Sequence, residues 1–212
     1  MKTKIVIIGA GGHAKVIIDM LKSSRQFEIA GCTAPSKTES NVQGVPVIGD
    51  DSILPGLLKK GIQNAFVAIG DNKKRREAFE QLSLLGFQHL NVISPFSYIA
   101  PTVKMGKGVA VMPGAVINAD AVIGDNAIIN TGATVDHDAV IESHTHIAPG
   151  SNVAGNVHVG EGAFIGTGSK VIPNVKIGRW SVIGAGAVVI RQIPDYKKAA
   201  GVPARIFKEN KP

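Results

Sequence analysis

The sequence predicts a chain in two parts: an α/β Rossmann-like domain over residues 1–92, then a three-sided parallel β-helix over residues 93–212. Three observations support this. An aliphatic residue recurs at every sixth position from Ile93 to Val189, apolar strands alternate with amphipathic helices before it, and 25 glycines stand against one tryptophan and two tyrosines. Glycine at that density serves tight turns, and the shortage of large aromatics leaves a core of small aliphatic side chains.

The N-terminal elements follow in order. Lys4 to Ile8 reads as a strand, Gly9-Ala10-Gly11-Gly12-His13-Ala14 as a turn, and the helix after it runs to about Lys22. Phe27 to Gly31, Val45 to Ile48 and Ala65 to Ile69 are further strands. Asn72 is placed to cap a helix that continues to Leu85 and stops at Gly86. The join falls at Leu90-Asn91-Val92-Ile93, where seventeen consecutive hexads begin without an insertion. A period of six fits neither a helix nor a long strand. It fits a short strand plus a corner, so three hexads close one coil and Ile129, Ile147 and Ile165 stack inside it. The small residue at the fifth position, as in Ala115, Ala133 and Ser151, fits near the corner.

Composition narrows the function classes. The net charge is +7, yet the lysines and arginines divide 12 to 11 between residues 1–92 and 93–212, with no run longer than Lys73-Lys74-Arg75-Arg76. Nucleic-acid binding is therefore disfavoured. The single cysteine, Cys32, permits no internal disulfide and no thiolate metal site, which suits a reducing, cytoplasmic setting. Gly9 to Gly12, His13, Lys15 and Asp19 interrupt the apolar start, so neither a signal peptide nor a membrane span is expected.

Gly9-x-Gly11-x-x-Ala14, after a strand and opening a helix, is the arrangement that cradles phosphate: glycines let a ligand approach the backbone, and the helix N-terminus favours an anion. The same pattern also closes a ligand-free turn. The second strand ends Gly31-Cys32-Thr33-Ala34, without the acid that holds ribose hydroxyls, so a redox NAD site is disfavoured. Of six histidines, four lie among the hexads. His137 stands in Asp136-His137-Asp138, where carboxylates on both sides can orient the imidazole and raise its basicity, as a general base requires. His146 follows nine residues later, half a coil on, so only a cleft between packed subunits could gather both. His144 and His158 read as turn-stabilising or solvated. Spacings of seven, two and twelve between the four do not match a three-histidine zinc site, and no metal is expected.

The unbroken hexads, Asp136-His137-Asp138 and the ending Ala200-Gly201-Val202-Pro203-Ala204-Arg205 resemble the left-handed β-helix, hexapeptide-repeat acyltransferases. Gly9-Ala-Gly-Gly-His-Ala narrows this to a likeness with bacterial sialic acid O-acetyltransferases and nucleotide-amino-sugar N-acetyltransferases of the bacillosamine type, over nearly the whole chain. The resemblance implies a cytoplasmic homotrimer that uses acetyl-CoA on a nucleotide-linked, most simply UDP-linked, 4-amino-dideoxy sugar in glycan biosynthesis. It implies His137 as base with Asp138 strengthening it, and an active site between subunits. His146, the Gly155 N–H as oxyanion donor, Thr167 and Ala185 then fall on the acetyl-CoA side. Gly11, Gly12, His13 and Gly70 fall on the nucleotide-sugar side. Thr33 and Ala34 stand where the bacillosamine enzyme has an acidic pair. O-acetylation of a sialic acid, a non-catalytic trimeric scaffold and a carbonic-anhydrase-like metalloenzyme are the competing readings.

Overall fold

The computed structural model describes residues 2–35 and 40–210, and the chain divides into two units, Met1–Pro95 and Phe96–Pro212. In the first, β1 (Thr3–Ile8) leads to α1 (Gly12–Ser24), β2 (Phe27–Thr33), the short β3 (Asn41–Val42) and β4 (Val45–Gly49). A 3-10 turn and α2 (Leu54–Lys59) precede β5 (Asn64–Val67), α3 (Asn72–Leu85) and β6 (Gln88–His89). The sheet order is β3-β4-β2-β1-β5-β6, parallel except for the β3–β4 hairpin. Chain order therefore reverses between β1 and β5, and ligands of open α/β sheets bind outside the carboxyl ends of strands at such a switch point. β1 is central because every residue from Ile5 to Ile8 is buried. Val6 and Ile8 pack with Leu54, Leu57, Phe79 and Leu82 of α2 and α3, while Ile5 and Ile7, alternating with them, project from the other face.

One sequence expectation shifts here. The cap of α3 is Asp71, whose Oδ1 accepts the Lys74 N–H at 2.9 Å, rather than Asn72, which is the first helical residue. Gly86 ends the helix as expected, at φ 91°. The strand expected at Val45 to Ile48 is β4, whereas β3, α2 and β6, two to six residues long, had no strong sequence signal.

In the second unit a two-residue strand occurs at every sixth residue, from Tyr98–Ile99 to Val188–Val189. Strands eighteen residues apart pair in parallel, Ile129 with Ile147 and Ile147 with Ile165, giving three faces. The first face carries Ile128–Ile129, His146–Ile147 and Phe164–Ile165; the second Thr134–Val135 and Asn152–Val153; the third Val140–Ile141 and His158–Val159. The opening aliphatic of each hexad points inward, and from Val111 to Val189 these residues are essentially fully buried. The fifth position is inward too, which is why it must be small: Ala115, Ala121, Ala127, Ala133 and Ala139 are all fully buried. Where serine replaces alanine, its hydroxyl donates to a carbonyl of the next coil, as from Ser151 to Gly166 at 2.8 Å, so the polar atom is not left unpaired.

The corner is set by the fourth position, which lies in the left-handed region in every hexad from Gly108 to Gly186, with φ between 53° and 73°. Glycine, asparagine and aspartate supply most of these residues, the types that tolerate it. After the last hexad, Lys197–Ala200 adds to the first face and turns back as the antiparallel strand Arg205–Glu209. Because each inward aliphatic supports the one above and below it, Ile147→Ala should cost about 2–5 kcal/mol of stability, measured by denaturant unfolding against the wild type.

Candidate active site

Around the switch point of the first unit, the carboxyl ends of β1, β2 and β5 are tied together. The Thr33 carbonyl accepts the Gly9 N–H at 3.0 Å, and the Ile8 carbonyl accepts the Ala68 N–H at 2.8 Å. Gly9 has φ 106°, and a Cβ there would lie 3.0 Å from the Ala68 carbonyl oxygen. At Gly11, Gly12 and Gly70, by contrast, a Cβ would meet nothing within 4 Å. These three glycines border open space that a ligand can enter. Gly11 is the N-cap of α1, without a side-chain cap and without an acid in the first turn, so the helix end is electrostatically suited to an anion.

His13 follows in that first turn and is mostly buried; burial, reinforced by the nearby Arg75 cation, lowers its pKa to about 4. It is therefore neutral at physiological pH. Thr33 is fully buried, and its hydroxyl has no hydrogen-bond partner among the described residues. Ala34 is held by its N–H on the Gly49 carbonyl at 2.9 Å. The Cys32 thiol is buried beside them, and burial pushes its pKa up to about 11, which removes thiolate chemistry.

On the β-helix, His137 and Asp138 occupy the corner between the second and third faces. Asp138 takes the left-handed position, φ 57°, and the His137 Nδ1–H donates to its Oδ2 at 2.8 Å. Asp138 reaches the ring because that turn conformation folds its carboxylate back. Nε2 is thus the basic nitrogen, and Asp138 raises the pKa of His137 above its ordinary value, with a smaller contribution from Asp136. Both flanking carboxylates raise the basicity of the ring as expected, but only Asp138 orients it: Asp136 Oδ1 accepts the His137 backbone N–H at 2.8 Å and the Asn118 Nδ2–H at 2.9 Å. These bonds hold its own carboxyl below the usual range. Asp136 braces the turn, and Asp138 orients the imidazole.

One coil further on, Gly155 lies against the ring. A Cβ there would fall 2.6 Å from His137 Cε1 and 2.7 Å from Nε2. His137, Asp138 and Gly155 therefore form one group. His146 belongs to the first face, where its Nε2 accepts from Asn130 Nδ2 at 2.9 Å and its ring meets Phe164 edge-on at 5.1 Å. Asn130 Oδ1 accepts the Thr131 N–H, which fixes the amide orientation and puts the proton of His146 on Nδ1. Thr167 and Ala185 are exposed and stack eighteen residues apart at the corner that ends this face, joined by the Gly186 N–H on the Thr167 carbonyl at 2.8 Å. A single chain thus carries two groups, on different corners. His144 and His158 are engaged elsewhere, by Asn126 at 2.9 Å and by Glu142 at 2.6 Å. No group of three or more His, Cys, Asp or Glu among the described residues could hold a metal ion, and no helix among them is long and apolar enough to cross a membrane.

Asn118 and Asn130 were not singled out from the sequence. The signal for Asn118 is its distance of eighteen residues from Asp136, one full coil, the same interval that pairs Asn126 with His144.

Residues 4–82 match the family model of the PglD N-terminal domain, and residues 102–137, 120–155 and 156–191 match bacterial transferase hexapeptide repeats. The structure is similar to a histidine-to-asparagine variant of perosamine N-acetyltransferase from Caulobacter crescentus in complex with CoA and GDP-perosamine, with a TM-score of 0.94 and 48% identity over 97% of both chains. It is also similar to the acetyltransferase domain of PglB from Neisseria gonorrhoeae in complex with acetyl coenzyme A, at TM-score 0.92 and 36% identity, over 98% of this chain and 100% of that one. WeeI from Acinetobacter baumannii matches at TM-score 0.86 and 27% identity, over 97% of this chain and 100% of that one. An uncharacterized protein of Acanthamoeba polyphaga mimivirus is 34% identical over 121 residues, 57% of this chain but only 24% of that protein.

The Asp138 hydrogen bond is the main cause of the raised pKa of His137. Asp138→Asn should therefore bring that pKa down toward the ordinary 6.5 of a free histidine, read from the His137 ring-proton shift in an NMR pH titration. An unmoved titration would mean that the carboxylate does not act on the ring.

Proposed function

The chain belongs to the acetyl-CoA-dependent hexapeptide-repeat acyltransferases that carry a PglD-type N-terminal domain, and we propose that it acetylates the amino group of a nucleotide-linked 4-amino-dideoxy sugar. The observation that supports this most directly is His137: an imidazole with Nδ1–H held by Asp138, Nε2 open, and a glycine backbone against it. Nε2 takes the proton of the acceptor amine as its nitrogen attacks the thioester carbonyl. The Gly155 N–H stabilises the tetrahedral oxyanion, the C–S bond breaks, and CoA leaves as thiolate to be protonated. An amine on an acetyl thioester needs no covalent enzyme intermediate, consistent with a Cys32 held as a buried thiol. That two structures of the Caulobacter perosamine N-acetyltransferase carry a histidine substitution is in keeping with a histidine at the centre of the reaction.

The acceptor side is read from the open glycines Gly11, Gly12 and Gly70, the neutral His13, and the buried, unpartnered Thr33 hydroxyl, with Ala34 beside it. The sequence resemblance suggests a UDP-linked sugar. The 48% identity to a protein bound to GDP-perosamine supports a GDP-linked one instead, and that is the reading we adopt. Thr33 and Ala34, which bring no carboxylate to this site, are the residues that distinguish it from the acidic pair expected for the UDP-linked case.

A homotrimer is part of the same proposal. His137 is 57% exposed in one chain, whereas a base in acyl transfer acts best where water is excluded. His146, Thr167 and Ala185, read as the acetyl-CoA side, lie on a different face and corner. A neighbouring copy presenting that face to His137 would complete the site.

His137→Ala should lower kcat by about 10²–10⁴-fold, the usual contribution of a general base, with the oligomer intact by light scattering. CoA release on a panel of GDP- and UDP-linked amino sugars measures this. Wild-type kcat/KM should rise with pH through a pKa above 6.5, because His137 acts deprotonated and its pKa is raised. In addition, mixed oligomers of His137→Ala and Thr167→Trp chains should recover activity that neither variant has alone. Failure to recover it would exclude a shared site.

A further inference from the structure

Arg75 is only 1% exposed and ranks with the largest fully buried side chains of the protein. Burial of a guanidinium is costly unless its donors are matched, and its position adds to the cost: it sits in the first turn of α3, whose dipole already makes that end positive. Burial lowers its pKa to about 9, partly offset by the Asp71 carboxylate, so it remains a cation at neutral pH. Its fork reaches back over the start of its own helix. Nη1 donates to the carbonyls of Ile69 at 3.2 Å and Gly70 at 3.1 Å, and Nη2 to Asn72 Oδ1 at 2.8 Å. The Arg75 N–H itself donates to the Asp71 carbonyl at 2.9 Å.

The Ile69 and Gly70 carbonyls belong to the loop that leaves β5 at the switch point, and Asn72 opens α3 directly after it. The outer side of the loop is open, since a Cβ at Gly70 would meet nothing within 4 Å. The Ile69 side chain, next in the loop, lies 3.2 Å from where a Cβ of Gly9 would be, so a shift of this loop is felt at the glycine turn before α1. The guanidinium is also close enough to His13 to act on it electrostatically. A single buried cation therefore touches the Gly70 loop directly and both the Gly9 turn and His13 at one remove.

We propose that Arg75 is a positioning residue of the acceptor site: by drawing the Ile69 and Gly70 carbonyls inward it holds the open edge of the Gly70 loop toward the nucleotide-sugar diphosphate. The inference rests on the nucleotide-sugar reading of the N-terminal unit. A lysine keeps the charge but cannot span three acceptors with a planar fork, so the role is one of geometry as well as charge.

The test uses the full chain with Arg75→Lys and, because a buried substitution can disturb folding, Asn72→Ala, which removes only one acceptor. For the GDP- or UDP-linked amino sugar that the wild type consumes, KM should rise about tenfold in Arg75→Lys, roughly the loss of one charged hydrogen bond, and about threefold in Asn72→Ala. The KM for acetyl-CoA and kcat should stay within about twofold, since His137 and its neighbours are untouched. Amide hydrogen exchange at residues 68–71 should quicken in both variants. Unchanged acceptor KM in Asn72→Ala together with a folded, unaffected Arg75→Lys overturns the proposal, as does a parallel change in the acetyl-CoA KM. If Arg75→Lys does not fold, Asn72→Ala decides. A wild type that consumes no nucleotide-linked amino sugar overturns the functional reading instead, and Arg75 is then judged by calorimetric titration with GDP and UDP. Equal affinity in wild type and variants, or no binding at all, overturns it.

Discussion

Successive coils of the β-helix are joined by backbone hydrogen bonds that keep residues eighteen apart in register, as where the Ile128 N–H meets the Thr145 carbonyl and the Asn130 N–H meets that of Ile147. That register decides where the functional groups stand. It lays Gly155 on His137, stacks Ala185 on Thr167, and brings Asn118 under Asp136. A one-residue slip would turn the inward aliphatics outward and dismantle each of these columns at once. The placement of these groups therefore depends on packing of very ordinary kind, small and branched aliphatic side chains repeated coil after coil.

The corner conformation links that packing to the electrostatics of the base. The fourth position of each hexad must accept a positive φ, and aspartate is among the few non-glycine residues suited to it. Placing Asp138 there satisfies the turn and points its carboxylate at the neighbouring imidazole. The same position accepts His144 and Trp180 elsewhere in the helix, where the side chains pack against their own column instead: His144 bonds Asn126, and Trp180 covers Gly162. Identical backbone geometry thus supports a corner with an exposed, carboxylate-bound imidazole and corners whose side chains are packed away. The side chains of the adjoining coils make the difference.

In the first unit the constraint is the close approach of strand ends at the switch point. Gly9 can have no side chain beside the Ala68 carbonyl, and the loops on either side leave Gly11, Gly12 and Gly70 facing open space. The buried polar groups there, Arg75, His13 and the Thr33 hydroxyl, lower stability more than apolar residues of their size would. All three lie near the open space that Gly11, Gly12 and Gly70 border.

How much of this was legible beforehand follows from the range of the forces involved. The hexad period, the inward aliphatics, the glycine turn after β1 and the Gly86 stop are local patterns, imposed on the sequence by backbone geometry. The His137 motif was visible for the same reason, because Asp138 is its immediate neighbour. Short elements such as β3 and α2 left too few residues for a period to show. The roles of Asp136 and Asp138 could not be separated from the sequence, since both flank His137 and only the turn conformation directs one carboxylate to the ring and the other to a backbone N–H. In the sequence Arg75 stood out only as a member of the basic run Lys73-Lys74-Arg75-Arg76, and folding alone buried it against the Gly70 loop. The sequence by itself thus determined the repeat, the Asp136-His137-Asp138 motif and the glycine turn after β1. The tertiary structure decided which polar groups are desolvated and which partners they meet, because burial and the turn conformation of each segment are set by how the whole chain packs and not by residue order alone.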